Sequence, residues 1–182
     1  MLKIYTTLFF LFFFSVSAEV IQKLEVKGND RISQETIAVY GEITIGKDYS
    51  AFDLNNVLKN LYGTNFFEDI KISLTNGLLK VTVKEYASIN FIDIEGEKSN
   101  KVKKAILEQL SLKEKESFIE SKLKQDIILI KKVYSSIGFN FTNVDAKIKK
   151  FGDSRVNLIY SVDKGKKTNI AKINFIGDKK IK

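Results

Sequence analysis

The sequence contains no cysteine, no histidine, no proline and no tryptophan. Without cysteine there is no disulfide framework and no thiolate zinc site. Without histidine the chain lacks the side chain that most often moves protons near neutral pH, and a Ser-His-Asp triad is impossible. The lack of proline and tryptophan, beside abundant Lys, Ile, Asn and Phe, fits an AT-rich genome rather than a function. What is present is ordinary for a globular chain of 182 residues: 44% hydrophobic and 29% charged side chains, which argues against disorder.

The formal charge of +8 hides a gradient. Residues 19–86 carry eight basic and ten acidic side chains, a net of −2; residues 87–165 net +4, and residues 166–182 net +5. A basic tail invites a nucleic-acid reading. The lysines, however, alternate with apolar residues, as in Asp145-Ala146-Lys147-Ile148-Lys149. That is the pattern of a solvated sheet face, and no aromatic stacking run accompanies it. No nucleic-acid partner is expected.

At the start, Lys3 precedes an apolar stretch from Ile4 to Phe14, and Ser15-Val16-Ser17-Ala18 offers a cleavage site before Glu19. The apolar stretch is shorter than the roughly 20 residues that span a bilayer. Residues 1–18 therefore read as a secretory signal peptide, and export without cysteines fits a bacterial periplasm.

The mature part repeats itself. Ile21–Asp30, Ile89–Lys98 and Ile170–Lys179 align as short alternating strands ending in Gly28, Gly96 and Gly177, followed by a polar turn. After the first strand, Ser33 is placed to cap a short helix ending at Gly41. Ser50 and Asp53 form a capping box for a second, whose apolar stripe is Leu54, Val57, Leu58 and Leu61. In the second copy Asn100 precedes a helix to about Leu110. Ser117 and Glu120 then read as a full capping box, opening a helix with Leu123, Ile127, Ile130, Tyr134 and Ile137 on one face. Two strands close each copy. Ile70 and Ile72 alternate with Lys71 and Ser73, Asn76-Gly77 makes the hairpin, and Leu79, Val81 and Val83 return. Val144, Ala146 and Ile148 run to a turn at Gly152-Asp153, and Val156, Leu158, Tyr160 and Val162 return. The fold class is thus α+β: tandem β-α-α-β-β modules, each a three-stranded mixed sheet with two helices on one face. The expected division is 19–86, 87–165, and the opening of a third module at 166–182.

Catalytic chemistry does not emerge. Gly41-Glu42-Ile43-Thr44-Ile45-Gly46-Lys47 fits the phosphate-cradling pattern, but Asp48 stands where a magnesium-ligating Ser or Thr belongs, and a helix, not a strand, precedes it. Glu68-Asp69 is a carboxylate pair, yet neighbours on a strand point to opposite faces and cannot flank one atom. Phe66 and Tyr134 read as core. No enzyme, cofactor or metal is expected. What the architecture offers is an edge strand with unpaired backbone groups, to which an extended peptide can add.

These residues resemble a family. The repeat, the turn Gly28-Asn29-Asp30-Arg31-Ile32, the segment from Leu61 to Ile70 and Val81-Thr82-Val83-Lys84-Glu85 are similar to the POTRA modules of the outer-membrane β-barrel assembly factors. So are Val133–Gly138, Arg155–Tyr160 and Asp163-Lys164-Gly165. The resemblance implies periplasmic repeats that receive unfolded outer-membrane proteins from chaperones and scaffold assembly-machinery lipoproteins, ahead of further modules and a C-terminal membrane barrel. On that pattern the present chain reads as a fragment. The resemblance also implies that the second strand of each module, Glu68 to Leu74 and Asn143 to Lys149, is the client-binding edge. The candidate residues are Ile70, Lys71, Ile72, Ser73, Val144, Ala146, Lys147 and Ile148. Alternative readings are an autotransporter assembly and translocation factor with similar modules, or a soluble periplasmic binding module without a barrel.

Overall fold

A computed structural model describes residues 18–152, 154–174 and 176–177; the signal peptide, apart from Ala18, and Asp153 of the expected turn lie outside the described residues. The chain divides into two compact units, one ending at Glu85 and one beginning at Tyr86.

Unit one runs β1 (Glu19–Val20), β2 (Lys23–Lys27), α1 (Gln34–Tyr40), β3 (Asp48–Tyr49), α2 (Ala51–Gly63), β4 (Phe67–Thr75) and β5 (Leu78–Glu85). Its main sheet has the order β2-β5-β4, parallel between β2 and β5 and antiparallel between β5 and β4. The hairpin follows from Asn76 and Gly77, both left-handed with φ of 52° and 74°, the two-residue loop whose twist matches the strands. The parallel pair needs a long crossover, which the helices supply. Ser33 accepts from the Thr36 N–H at the start of α1. Ser50 and Asp53 complete their reciprocal box at α2, leaving few orphan donors. Alternation sends Leu24, Ile70, Leu79, Val81 and Val83 inward, where they meet Ile37, Val57 and Leu61 from the helices. Each such side chain contributes on the order of 1.5–3 kcal/mol by burial.

Unit two runs β6 (Ser88–Glu95), α3 (Asn100–Gln109), α4 (Glu120–Ser136), β7 (Asn143–Lys150) and β8 (Arg155–Asp163). The sheet repeats the first, with order β6-β8-β7 and the same parallel and antiparallel pairs. Ile89, Ile94, Leu158, Tyr160 and Val162 of the sheet bury against Ile106, Leu123, Ile130 and Tyr134 of the helices.

The glycine that ends each first strand has the same steric cause in both units. Gly28 and Gly96 adopt φ of 80° and 87°. A Cβ on either would fall on the carbonyl of the third strand, that of Val83 or Val162. Positive φ and this close approach together require glycine.

Three expectations are corrected. Ser117 does not cap α4: the helix starts at Glu120 behind Ile119, which makes no side-chain cap bond. Ser117 instead bridges to Ser88, because the Phe118 N–H donates to the Ala87 carbonyl at 2.8 Å; strand pairing has claimed the segment. Ile137 is the exposed C-terminal cap of α4 rather than part of its buried face. α3 begins at Asn100 itself rather than after it, with Ser99 as its cap. In the third copy, described residues from 166 onward carry no strand. A first strand here is held by the third strand of its own module, as β2 is by β5, and no such partner is among the described residues. Gly177 accordingly meets nothing within 4 Å.

Candidate functional site at the open sheet edges

Each sheet has two edges, and the loop between the two helices closes the start of one of them. In unit one the Ile21 N–H donates to the Lys47 carbonyl at 3.1 Å, and the Gly46 N–H donates back to Ile21 at 2.7 Å, beside the β1–β3 pair. The loop that fits a phosphate cradle thus follows a helix and spends its Gly46 N–H on Ile21, between β1 and β2. In unit two the Ile89 N–H donates to Glu116 at 2.8 Å and the Lys115 N–H to Ile89 at 2.7 Å. One Glu114 carboxylate oxygen takes the next strand donor, the Ile92 N–H, at 3.1 Å. These edge closers carry no periodicity, and sequence reasoning missed them.

The second strands β4 and β7 form the opposite edges. Which of their backbone groups face outward follows from two bonds. The Ile70 N–H donates to the Tyr62 hydroxyl at 3.1 Å, so it points away from β5. Antiparallel pairs alternate between bonded and non-bonded, so Ile72 and Leu74 also face outward while Lys71 and Ser73 bond to β5. In unit two the Phe151 N–H donates to the Arg155 carbonyl. By the same alternation Val144, Ala146 and Ile148 face outward, and Lys147 bonds inward to β8. The eight predicted residues therefore form two groups, one on each edge. In both, the backbone faces outward at the very residues whose side chains lie on the helix-covered face, Ile70, Ile72, Val144 and Ala146, the Ile70 N–H alone of these being covered by Tyr62. Lys71, Ser73 and Lys147 lie on the solvent face.

The Glu68-Asp69 pair departs from the alternation expected of it. A register shift between Phe67 and Asp69 marks a bulge, and both carboxylates are exposed, since a bulge inserts an unpaired residue. They share Lys84, which bonds Glu68 at 2.7 Å and is raised above its ordinary value by that bond and by the two charges. The arrangement is a solvated ion cluster, with little energy in it.

Sequence reasoning also missed the buried carboxylates. Asp126, fully buried on α4, accepts from the Ser111 N–H at 2.6 Å, the Leu112 N–H at 3.0 Å and the Tyr160 hydroxyl at 3.1 Å. Burial and this carboxylate push the Tyr160 hydroxyl far up. Glu97 accepts from the Ser99 N–H at 2.8 Å, the Tyr134 hydroxyl at 2.9 Å and Lys164 at 3.4 Å. Burial pushes the Glu97 carboxyl up, but these donors outweigh it and hold the group below the usual carboxylate range. Glu85 accepts the Asp30, Arg31 and Ile32 N–H groups at 2.8–3.0 Å and pairs with Arg31 at 3.2 Å. Every one of these acids is consumed by structural donors. Among the described residues no group of three or more acidic side chains is set to hold a metal ion.

With this geometry in hand, the chain can be compared with known proteins. Residues 87–165 match the model of the POTRA family, described as a surface antigen variable number repeat. The chain is 29% identical over 160 residues to the outer membrane protein assembly factor BamA of Neisseria meningitidis serogroup B, an alignment covering 87% of this chain and 20% of that protein. It is 24% identical over 172 residues to BamA of Neorickettsia risticii, covering 94% of this chain and 23% of that one. The chain thus spans about a fifth of the length of these curated relatives. Among solved structures, the N-terminal domain of Omp85 from Thermosynechococcus elongatus superposes with a TM-score of 0.52 at 14% identity, over 82% of this chain and 64% of that one; it shares the fold. The family model, the relatives and the doubled sheet order agree: unit two matches the POTRA family, unit one repeats its sheet order, and the chain is similar over most of its length to outer membrane protein assembly factors named BamA.

Proposed function

We propose that this chain lies in the periplasm as residues 19–86 and 87–165, two POTRA modules, with 166–182 opening a third. In this reading it receives unfolded outer-membrane β-barrel clients from periplasmic chaperones by strand addition at β4 and β7, and scaffolds assembly lipoproteins while further parts of the protein insert the client. The observation that carries the reading is the row of outward backbone groups on β4 and β7, set on a sheet whose other edge is partly closed by its own loop. Main-chain bonding gives affinity that tolerates many client sequences. The function of the BamA relatives supports the choice of client.

Proline tests this cleanly. At Ile72 or Ala146 it removes an outward donor without removing a bond to the neighbouring strand, the placement in which sheets tolerate proline. Ile72→Pro or Ala146→Pro is expected to lower crosslinking of an unfolded barrel-strand peptide to that unit severalfold while circular dichroism stays native. Unchanged crosslinking in a folded variant would reject strand addition at that edge.

A further inference from the structure

The two edges differ in the side chains that flank the backbone. Along β7 the helices stop short: Val144 is 3% exposed and Ile148 44%, with Ala146 half-buried between them. The second half of the strand therefore projects with both faces in water. Its solvent face carries Asp145, Lys147 and Lys149, and then Phe151 under the Arg155 guanidinium at 4.9 Å. Lys147 reaches Glu95 at 3.1 Å, but both side chains are about half exposed, and such a pair is easily exchanged. Lys149 is near enough to Glu95 to help hold its carboxyl down, yet neither Lys149 nor Lys150 makes an ion pair among the described residues. Asp145 instead lines a shallow pocket with Glu95 and Asp163 at the other end of the strand. The face runs from acidic to basic along β7. On β4 the acidic end also comes first, Glu68 and Asp69, but only Lys71 follows, 3.8 Å from Asp69, before the uncharged Ser73 and Thr75.

Building on the reading of β7 as a strand-addition edge, we propose that its Lys147–Lys150 half selects extended segments in which carboxylates alternate with aliphatic side chains. The carboxylates would lie beside Lys147 and Lys149, and an aliphatic residue would cover Ile148. Opposite charges placed directly across a strand pair are favourable and like charges unfavourable. An added strand brings its alternate side chains to one face, so the acidic row and the aliphatic row are both read in a single docking event.

The test uses the full chain and three short β-forming peptides that differ only in one alternating row, filled with Glu, Gln or Lys, the other row being Ile. Affinity is read by fluorescence anisotropy and edge engagement by amide exchange at Ala146 and Ile148. The Glu peptide is expected to bind roughly fivefold tighter than the Gln peptide and the Lys peptide weaker still, with the spread shrinking at high salt. Reversing both lysines, Lys147→Glu with Lys149→Glu, should invert the order. Lys149→Gln alone, a milder change, should narrow it. If all three peptides protect Ala146 and Ile148 with equal affinity, the selectivity is refuted while strand addition at β7 stands. Charge-ordered binding without protection of these amides would overturn both, as would a failure of all three peptides to bind.

Discussion

At the turn after the first strand, unit one places an acid and unit two a base at the same point of the fold. Val83 and Val162 both approach the repeat glycine, so Glu85 and Lys164, two residues further on, occupy equivalent positions. In unit one Glu85 receives the turn's N–H groups and Arg31. In unit two the acid has moved into the turn as Glu97 and the base stands at the strand end as Lys164. A second exchange lies on the long helices. Aligned by their caps, Thr64 and Ile137, the two helices place the buried Leu61 where unit two has the buried Tyr134, and eight residues earlier the capping-box Asp53 where unit two has the buried Asp126. The tyrosines of these helices differ as well: Tyr62 is at the surface, covering a donor of β4, and Tyr134 is buried on Glu97. The fold demands that turn donors be satisfied and that a glycine fit beneath the third strand. It does not demand that the acid come from any one element.

The largest effect that should leave this comparison standing is at the shared glycine. Gly96→Ala is expected to destabilise unit two by about 3 kcal/mol or more, and Gly28→Ala to do the same to unit one, because a clash adds to the cost of positive φ. Chemical denaturation followed by residue-resolved NMR should show loss in the altered unit alone. Asp126→Leu takes the buried acid off α4 and tests whether its role is dispensable. It strands two N–H groups and the Tyr160 hydroxyl, and a loss on the order of 3 kcal/mol is expected from the same denaturation series. A neutral outcome would mean that the loop at 111–112 finds other acceptors.

Acid should separate the units further. The Glu97 carboxyl is lower in the folded state than its usual value of 4.5, so its contribution is present above about pH 4.5 and is lost as pH falls through the depressed folded value. Glu97→Gln should flatten that part of the acid unfolding curve of unit two while costing stability at neutral pH. The smallest effect expected is at Tyr62→Phe, which frees the Ile70 N–H. It should cost about 1 kcal/mol or less and be visible mainly as faster amide exchange at Ile70.

Much of this was legible beforehand, and the misses share a cause. Ser33, and Ser50 with Asp53, could be read because a cap involves residues three apart. Asn76-Gly77 could be read because two left-handed residues in sequence have one common use. Ser117 and Glu120 have the same local spelling as Ser50 and Asp53, yet Ser117 was claimed by Ser88, 29 residues away. Asp126 sits three residues after the buried Leu123, where a charged side chain suggests solvent; its donors come from a loop and from β8. The bulge at Phe67–Asp69 broke an alternation argument that is sound only for regular strands. In each case the deciding partner was distant in sequence, and nothing local announced it. The placement of β4 and β7 at the edges came from the family resemblance, alternation giving only which side chains face inward, and the Tyr62 hydroxyl on Ile70 had no local signal.

The alternation along β4 and β7 has one more consequence. In the docking proposed for β4 and β7, adhesion and selection fall on interleaved residues. Ile70, Ile72, Val144 and Ala146 hold out the main-chain groups, but their side chains are committed to the interior and have little freedom to change. Lys71, Ser73, Lys147 and Lys149 send their side chains to water and are free to change without disturbing the sheet. A docking strand of this kind can be re-addressed to a new cargo one surface residue at a time, while the grip itself is inherited unchanged with the core.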